Sequence, residues 1–306
     1  MAAAAIFNVI SKPRSRSADH VSKIVPLHSA QAAIDQIGSL YKRQKTKLLE
    51  LYKKYPTLVE GNYKNGEIEV VTDPSMIAKI ERTMEKRFLE KGKSAEDARE
   101  WSRVGVLSQD PYFINIRDAV YFPNGSTGVY NRQLERSALE GAGQGAIALP
   151  LSQDGKVLFN LTYRHATRSW GMELARGFSD KEDGNLSKTC TRELAEETGM
   201  NSAEPVPLGE VCANTGINGT RPQIFLCPLT GAGKPNRENE AIKKCIPFSQ
   251  QEVADALVNG YFVYENKRIE FIDGFSMNAI LKAQAAGHIH LPPGKREKSS
   301  KTLRLF

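Results

Sequence analysis

No stretch of this sequence stays apolar for the roughly 20 residues that a membrane-spanning helix requires, so no membrane span is expected. Cysteine is scarce. The four are Cys190, Cys212, Cys227 and Cys245, widely spaced and without a C-x-x-C pair. That argues against a zinc site and against a disulfide-stapled scaffold. It fits a reducing compartment, and a cytoplasmic location is the expectation. There is no internal repeat. A glycine-rich nucleotide loop is missing too: Gly141-Ala-Gly143-Gln-Gly145 precedes a strand instead of following one and opening a helix. The opening MAAAAIFNVISKPRSRS lacks the long apolar core of a secretory signal. It also lacks acids before Asp19, so an organelle transit segment stands as the alternative to a loosely ordered terminus.

What is present fits a soluble globular protein: 40% hydrophobic and 25% charged residues over 306 positions, enough for one large domain or two modest ones. The net charge of +7 is uneven. From Gly294 to Phe306 the chain carries Lys295, Arg296, Lys298, Lys301 and Arg304 against Glu297 alone. The body is therefore only mildly basic, and general nucleic-acid binding is not implied.

Periodicity organises the chain. Residues 1–27 read as a disordered or targeting segment. His28–Tyr55 reads as a long helix with Ile34, Ile37, Tyr41, Leu48, Leu51 and Tyr52 at helical spacing. Its other face carries Lys42, Arg43, Lys45, Lys47, Lys53 and Lys54, a solvated face or a surface for a polyanion. Asp73-Pro74 opens a second helix that ends near Gly92, and Ser94 with Asp97 starts a third through Trp101. Residues 28–108 thus form a helical extension. Strand signals begin after it. Phe113–Phe122 and Thr127–Gln133 flank a turn at Asn124-Gly125. Ala146–Leu151 and Lys156–Tyr163 flank another at Asp154-Gly155, and Met172–Leu174, Leu208–Ala213 and Pro222–Leu229 follow. Ser249–Asn259 and Gly274–Ala286 read as helices. Strands around several helices imply an α+β fold, with an α/β/α sandwich as one form of it.

One helix stands out. Asn185 can cap it, Leu186–Thr198 can form it, and Gly199 can end it. Its end, Thr191-Arg-Glu-Leu-Ala-Glu-Glu-Thr-Gly-Met200, places Glu193, Glu196 and Glu197 within five residues. Like charges at this spacing weaken an isolated helix. Lys188 and Arg192 do not neutralise them. A hard divalent cation, Mg²⁺ or Mn²⁺, explains the clustering, because such ions take carboxylate oxygens and complete their shells with phosphates.

These residues carry a resemblance. Arg192-Glu-Leu-Ala-Glu-Glu-Thr-Gly-Met200 matches the latter half of the Nudix box, R-E-U-x-E-E-x-G-U, at every specified position. Gly177 resembles the opening glycine. Asp183 stands where the family has a glutamate, and the gap from there to Arg192 is one residue longer than the pattern. Leu161-Thr-Tyr-Arg164 and Met172-Glu173-Leu-Ala-Arg-Gly177 resemble elements of the ADP-ribose pyrophosphatase subgroup. Arg268–Asp273 with Ala279–Leu281 resembles its closing helix region. Residues 109–288 are the Nudix domain on this reading, and 289–306 a basic tail.

The resemblance implies a Nudix α/β/α sandwich, here with an N-terminal helical extension. It implies Mg²⁺-dependent hydrolysis of ADP-ribose or a similar nucleoside diphosphate derivative to AMP and a sugar phosphate. It makes Glu193 and Glu197 metal ligands, with Glu196, the Arg176 carbonyl and Glu240 as further candidates. Arg192 would hold the box loop and orient a glutamate. Glu238, in Asn236-Arg-Glu-Asn-Glu240, is the candidate general base, and a polar loop with incidental acids is the alternative. Arg164 could clamp a phosphate, and Glu173 could bind ribose or metal; structural roles remain open for both. An adenine would stack on aromatics, for which Phe113, Tyr121 and Phe122 are candidates. His165 and Trp170 are candidates the chemistry does not require. A dinucleotide, a nucleotide sugar, protein-linked ADP-ribose, or ligand sensing without turnover are the competing readings. A homodimer pairing through the first hairpin is expected. The tail and the extension leave a protein or nucleic-acid partner open.

Overall fold

The computed structural model describes residues 27–141, 144–237 and 241–297. The opening 26 residues, Glu238 and Glu240, and the end of the basic tail lie outside the described residues. The chain forms two compact units, 1–43 and 44–306. The described part of the first is the start of helix α1 (Leu27–Lys54). Among the described residues, no helix is both long and apolar enough to cross a membrane.

In the second unit, α1 continues to Lys54 and buries Leu48 and Tyr52. A short strand β1 (Glu69–Val70) precedes α2 (Pro74–Glu90) and α3 (Ala95–Ser102). Asp73 caps α2 by accepting from the Met76 N–H, and Ser94 caps α3 from the Asp97 N–H. Then come β2 (Gly105–Gln109), β3 (Phe113–Tyr121), β4 (Thr127–Glu135) and the single-turn α4 (Arg136–Leu139). Strand β3 is central, with β4 along one edge and β1 and β2 sharing the other. The β3–β4 turn has Gly125 at φ +77°, as an Asn-Gly turn requires. Ile77 and Ile80 of α2 share a core with Val106, Ile114, Ile116 and Ala119, so the first hairpin packs with the helices before it.

A second sheet has ten strands. They are β5 (Ala146–Leu151), β6 (Val157–Arg164), β7 (Ser169–Glu173), β8 (Arg176–Gly177), β9 (Met200–Ser202), β10 (Val206–Glu210), β11 (Gln223–Ala232), β12 (Ile242–Phe248), β13 (Tyr261–Tyr264) and β14 (Lys267–Glu270). Its helices are α5 (Leu186–Thr198), α6 (Gln250–Asn259) and α7 (Gly274–Ala285). The long path runs β10-β11-β5-β6-β7-β14-β13, and β12 lies on β6. β5 and β11 are parallel, and β6 is antiparallel to both β7 and β12.

Strand alternation makes the layers. On β5, Ala146 and Ala148 pack with Cys190 and Leu194 of α5. Ile147 and Leu149 turn the other way, into a core with Val253 of α6 and Ala279, Ile280 and Ala283 of α7. The sheet is covered on both faces, and the unit is an α+β fold with an α/β/α sandwich at its centre. The small side chains Ala146, Ala148 and Ala175 let α5 lie close to the sheet. Cys190 and Cys227 are free thiols in that layer, hydrogen-bonded to each other at 3.3 Å.

Two features differ from the sequence pattern. β12 was not signalled, because Lys243, Lys244 and Pro247 break its alternation; among the described residues it pairs with β6 alone, where a proline is tolerated. Arg268–Asp273 does not simply lead into a helix. It starts as β14 of a hairpin whose turn holds Glu265 and Asn266 at φ +48° and +60°, and Asp273 then caps α7.

Candidate active site

The carboxylate helix has the expected limits. Asn185 accepts from the Lys188 N–H, and Gly199, at φ +75°, returns its N–H to the Ala195 carbonyl. The last carbonyls find donors in the loop beyond β11. Asn236 N–H donates to Glu196 O at 2.8 Å, and Arg237 Nε to Glu197 O at 2.6 Å. The chain is therefore anchored to the end of α5 at the residues that precede Glu238.

The three glutamates face different partners. Glu197 is buried against the sheet. Its Oε2 accepts from Asn160 Nδ2 at 2.5 Å, and its Oε1 from the Arg176 main-chain N–H at 3.3 Å. Glu193 lies on the backbone at Gly177, where any Cβ would collide with its carboxylate. Glu196 is the most open, its side chain 43% exposed. Arg192 Nη1 bridges Glu193 Oε1 at 2.8 Å and Glu196 Oε2 at 3.1 Å. The rest of that guanidinium holds the preceding loop, through both Asp183 oxygens at 3.0 Å and the Phe178 carbonyl at 2.9 Å. Hydrogen bonding from Arg192 holds the Asp183 carboxyl at about 2, below its usual value, against the opposing effect of burial. The same bonds raise the Arg192 pKa further.

Arg164 and Glu173 are brought together, joined by Arg176. Glu173 Oε2 accepts from Arg164 Nε at 2.9 Å, Arg164 Nη2 at 2.8 Å and Arg176 Nη2 at 2.8 Å. Arg176 Nη1 reaches Asp273 at 2.7 Å, and its guanidinium lies over the Phe275 ring. Asp273 is fixed in turn by Ser276, whose hydroxyl also accepts the Leu174 N–H. Burial works against charge at both Arg164 and Asp273, but Glu173 and Arg176 respectively outweigh it, so both groups stay ionised. Glu173 thus stands behind two arginines and aims them.

Those arginines, Gly177 and Glu193 line a cleft of about 690 Å³. Its other walls include Phe113, Gln133 and Glu135 from the first sheet, the adjoining Tyr112, and Phe178, Ile217, Asn218 and Phe275. Tyr112 and Phe178 stack at 5.9 Å between centroids, and Phe113 meets Phe178 edge-on at 6.0 Å. Burial raises the Glu135 pKa, while the Ser137 and Thr220 hydroxyls hydrogen-bond its carboxylate.

Of the aromatics expected for base stacking, only Phe113 lines the cleft. Tyr121 stacks on Tyr63 at 5.1 Å, and Phe122 lies against Gly128. His165 pairs with Arg168 and Trp170 with Tyr163, away from the cleft walls. Sequence reasoning missed Tyr112, Phe178, Asn160, Arg237 and Asp273. Asn160 had a signal, a lone amide in the apolar run Val157–Leu161. Opposite it in register, burial pushes the Cys245 thiol up to about 12.

Among the described residues, no three His, Cys, Asp or Glu side chains are gathered as a ready metal cage. The donor chemistry nevertheless fits a hard cation. Glu193 lies in the space that Gly177 leaves, Glu197 is tied to the Arg176 main chain, and the buried Asn160 Oδ1 has no hydrogen-bond donor among the described residues.

No protein-family model and no curated protein matches the chain. Among solved structures, that of an "ADP compounds hydrolase" is similar at 16% identity with a TM-score of 0.47, over 60% of this chain and 90% of that one.

Proposed function

We propose that the chain hydrolyses the pyrophosphate bond of ADP-ribose or a similar nucleoside diphosphate derivative, giving AMP and a sugar phosphate. The observation that carries this reading is the juxtaposition in one cleft of two arginines braced by Glu173, the Glu193 carboxylate, and the Tyr112–Phe178 shelf. A cleft of this size suits a nucleotide-sized ligand. Arg164 and Arg176 would hold non-bridging phosphate oxygens, for which a guanidinium offers paired N–H groups. Tyr112 and Phe178 would take the base.

Glu193 and Glu197 would hold Mg²⁺ or Mn²⁺, with Glu196, the Arg176 carbonyl and Glu240 as further oxygens. Such an ion, when bound, supplies charge neutralisation on the diphosphate and a more acidic water. In the reaction, water oxygen joins one phosphorus, the bridging P–O bond breaks, and the leaving phosphate keeps the electron pair. Glu238 or Glu196 accepts the water proton. The anchoring of Asn236 and Arg237 to the end of α5 supports the first.

One observation favours ligand sensing without turnover. Arg192 ties up Glu193 and Glu196 together. AMP release from ADP-ribose with Mg²⁺ or Mn²⁺, beside a panel of dinucleotides and nucleotide sugars, separates the two. Turnover by the wild type that is lost in Glu197→Gln supports hydrolysis, and the preferred compound names the substrate class. ADP-ribose binding with no turnover on any compound favours the sensor.

A further inference from the structure

Asn160 stands in β6 among the buried apolar residues Val157, Leu158, Phe159 and Leu161, and is itself 2% exposed. Its cross-strand neighbours are Glu173 on β7 and Cys245 on β12. Nδ2 donates to Glu197 Oε2, which accounts for half of the amide. The other half, Oδ1, is buried with no donor among the described residues. A buried acceptor left unmade is costly, and a leucine of similar size would avoid that cost. Packing alone therefore gives no reason for an amide here. Orienting Glu197 gives a reason for Nδ2 but none for Oδ1.

We propose that Asn160 is itself a ligand of the cation site, presenting Oδ1 beside Glu197 when a divalent cation is bound. The inference rests on the metal-dependent reading above. Amide oxygens are ordinary ligands of hard cations. The Asn160 N–H lies against the Glu197 carboxylate, which places the amide end of the side chain where a cation held by Glu197 would sit. Oδ1 belongs to the same amide as that N–H, so it can face an ion held beside Glu197 without moving the strand. The orphaned oxygen is then the atom offered to the ion.

The test is Mn²⁺ titration of the full chain, with free Mn²⁺ followed by its electron spin resonance, for the wild type, Asn160→Leu and Asn160→Asp. Leucine should leave the fold intact by circular dichroism and weaken Mn²⁺ binding at least about tenfold. Aspartate, which keeps an oxygen and loses the N–H, should bind Mn²⁺ at least as tightly as the wild type. Weaker binding by Asn160→Asp would show that the N–H, as an orienting donor, is what matters, and would overturn the ligand role. Unchanged affinity in Asn160→Leu overturns it too. If the leucine variant does not fold, the aspartate variant decides alone. A wild type that binds no Mn²⁺ removes the metal reading and this inference together, so the two failures are distinct.

Discussion

Asp183 accepts four hydrogen bonds: two from Arg192, one from the Asp180 N–H and one from the Thr189 hydroxyl. Its pKa is about 2 in the fold against an ordinary 3.8. A carboxyl whose folded pKa is depressed contributes stability that is fully present above the unfolded value and is lost as pH falls through the folded one. Asp183→Asn should therefore cost about 2 kcal/mol at neutral pH, and the gap from the wild type should close between about pH 4 and pH 2. Urea unfolding of both proteins across that range checks it, and a gap independent of pH would mean that the charge is not what braces the loop. The sequence pattern marked this position as irregular, because one residue too many separates it from Arg192. The structure accommodates that length. Asp183 N–H closes a turn onto Asp180 O at 3.1 Å, and Gly184 follows at φ +72°. Single-residue chemistry was legible where the partners lie close in the chain, as for Arg192 with the glutamates. It was illegible for Tyr112 and Phe178, which meet from segments far apart in sequence, and only hinted at for Asn160, whose partner Glu197 lies on α5.

Helix α5 was readable at both ends because its stop and start signals are local: an asparagine that bonds three residues on, and a glycine in the left-handed region. Gly199 does more than end the helix. A Cβ there would meet Pro235 Cδ at 2.9 Å and the Gly233 carbonyl at 3.0 Å, and the segment they belong to carries the donors to Glu196 O and Glu197 O. Gly199→Ala should cost about 1–3 kcal/mol from backbone strain alone. It should also loosen the 233–237 segment, seen as faster amide exchange at Asn236. Wild-type stability with unchanged exchange would show that the αL geometry is dispensable. β12, β13 and β14 lacked signals of this kind. β12 has lysines and a proline where alternation should show, and β13 and β14 are four residues each. Their strand character comes from pairing with β6, with each other and with β7, which no local window contains.

The second unit holds separate apolar clusters, one built by α1, α2 and the first sheet, the others on the two faces of the ten-stranded sheet. The cleft draws on the first sheet and on the ten-stranded sheet alike: Phe113, Gln133 and Glu135 come from β3 and β4, and Arg164, Arg176 and Gly177 from β6 and β8. Residues before 109 and the hairpin after it share one core, in which Ile77, Ile80 and Val106 cover Ile114, Ile116 and Ala119. A chain starting at residue 109 would expose those three side chains along an unpaired β3 edge, the arrangement that invites aggregation. Such a truncation should give little soluble protein. On the proposed function, whatever is soluble should lose ADP-ribose affinity at least tenfold, because Tyr112, Phe113, Gln133 and Glu135 would no longer be held. Soluble yield, cooperative unfolding and calorimetric titration with ADP-ribose check this. A soluble, cooperatively folding fragment 109–306 with full-chain affinity would mean that the helices serve something other than the cleft. The failure of both together would make α2 and α3 part of the binding apparatus, through the hairpin they support.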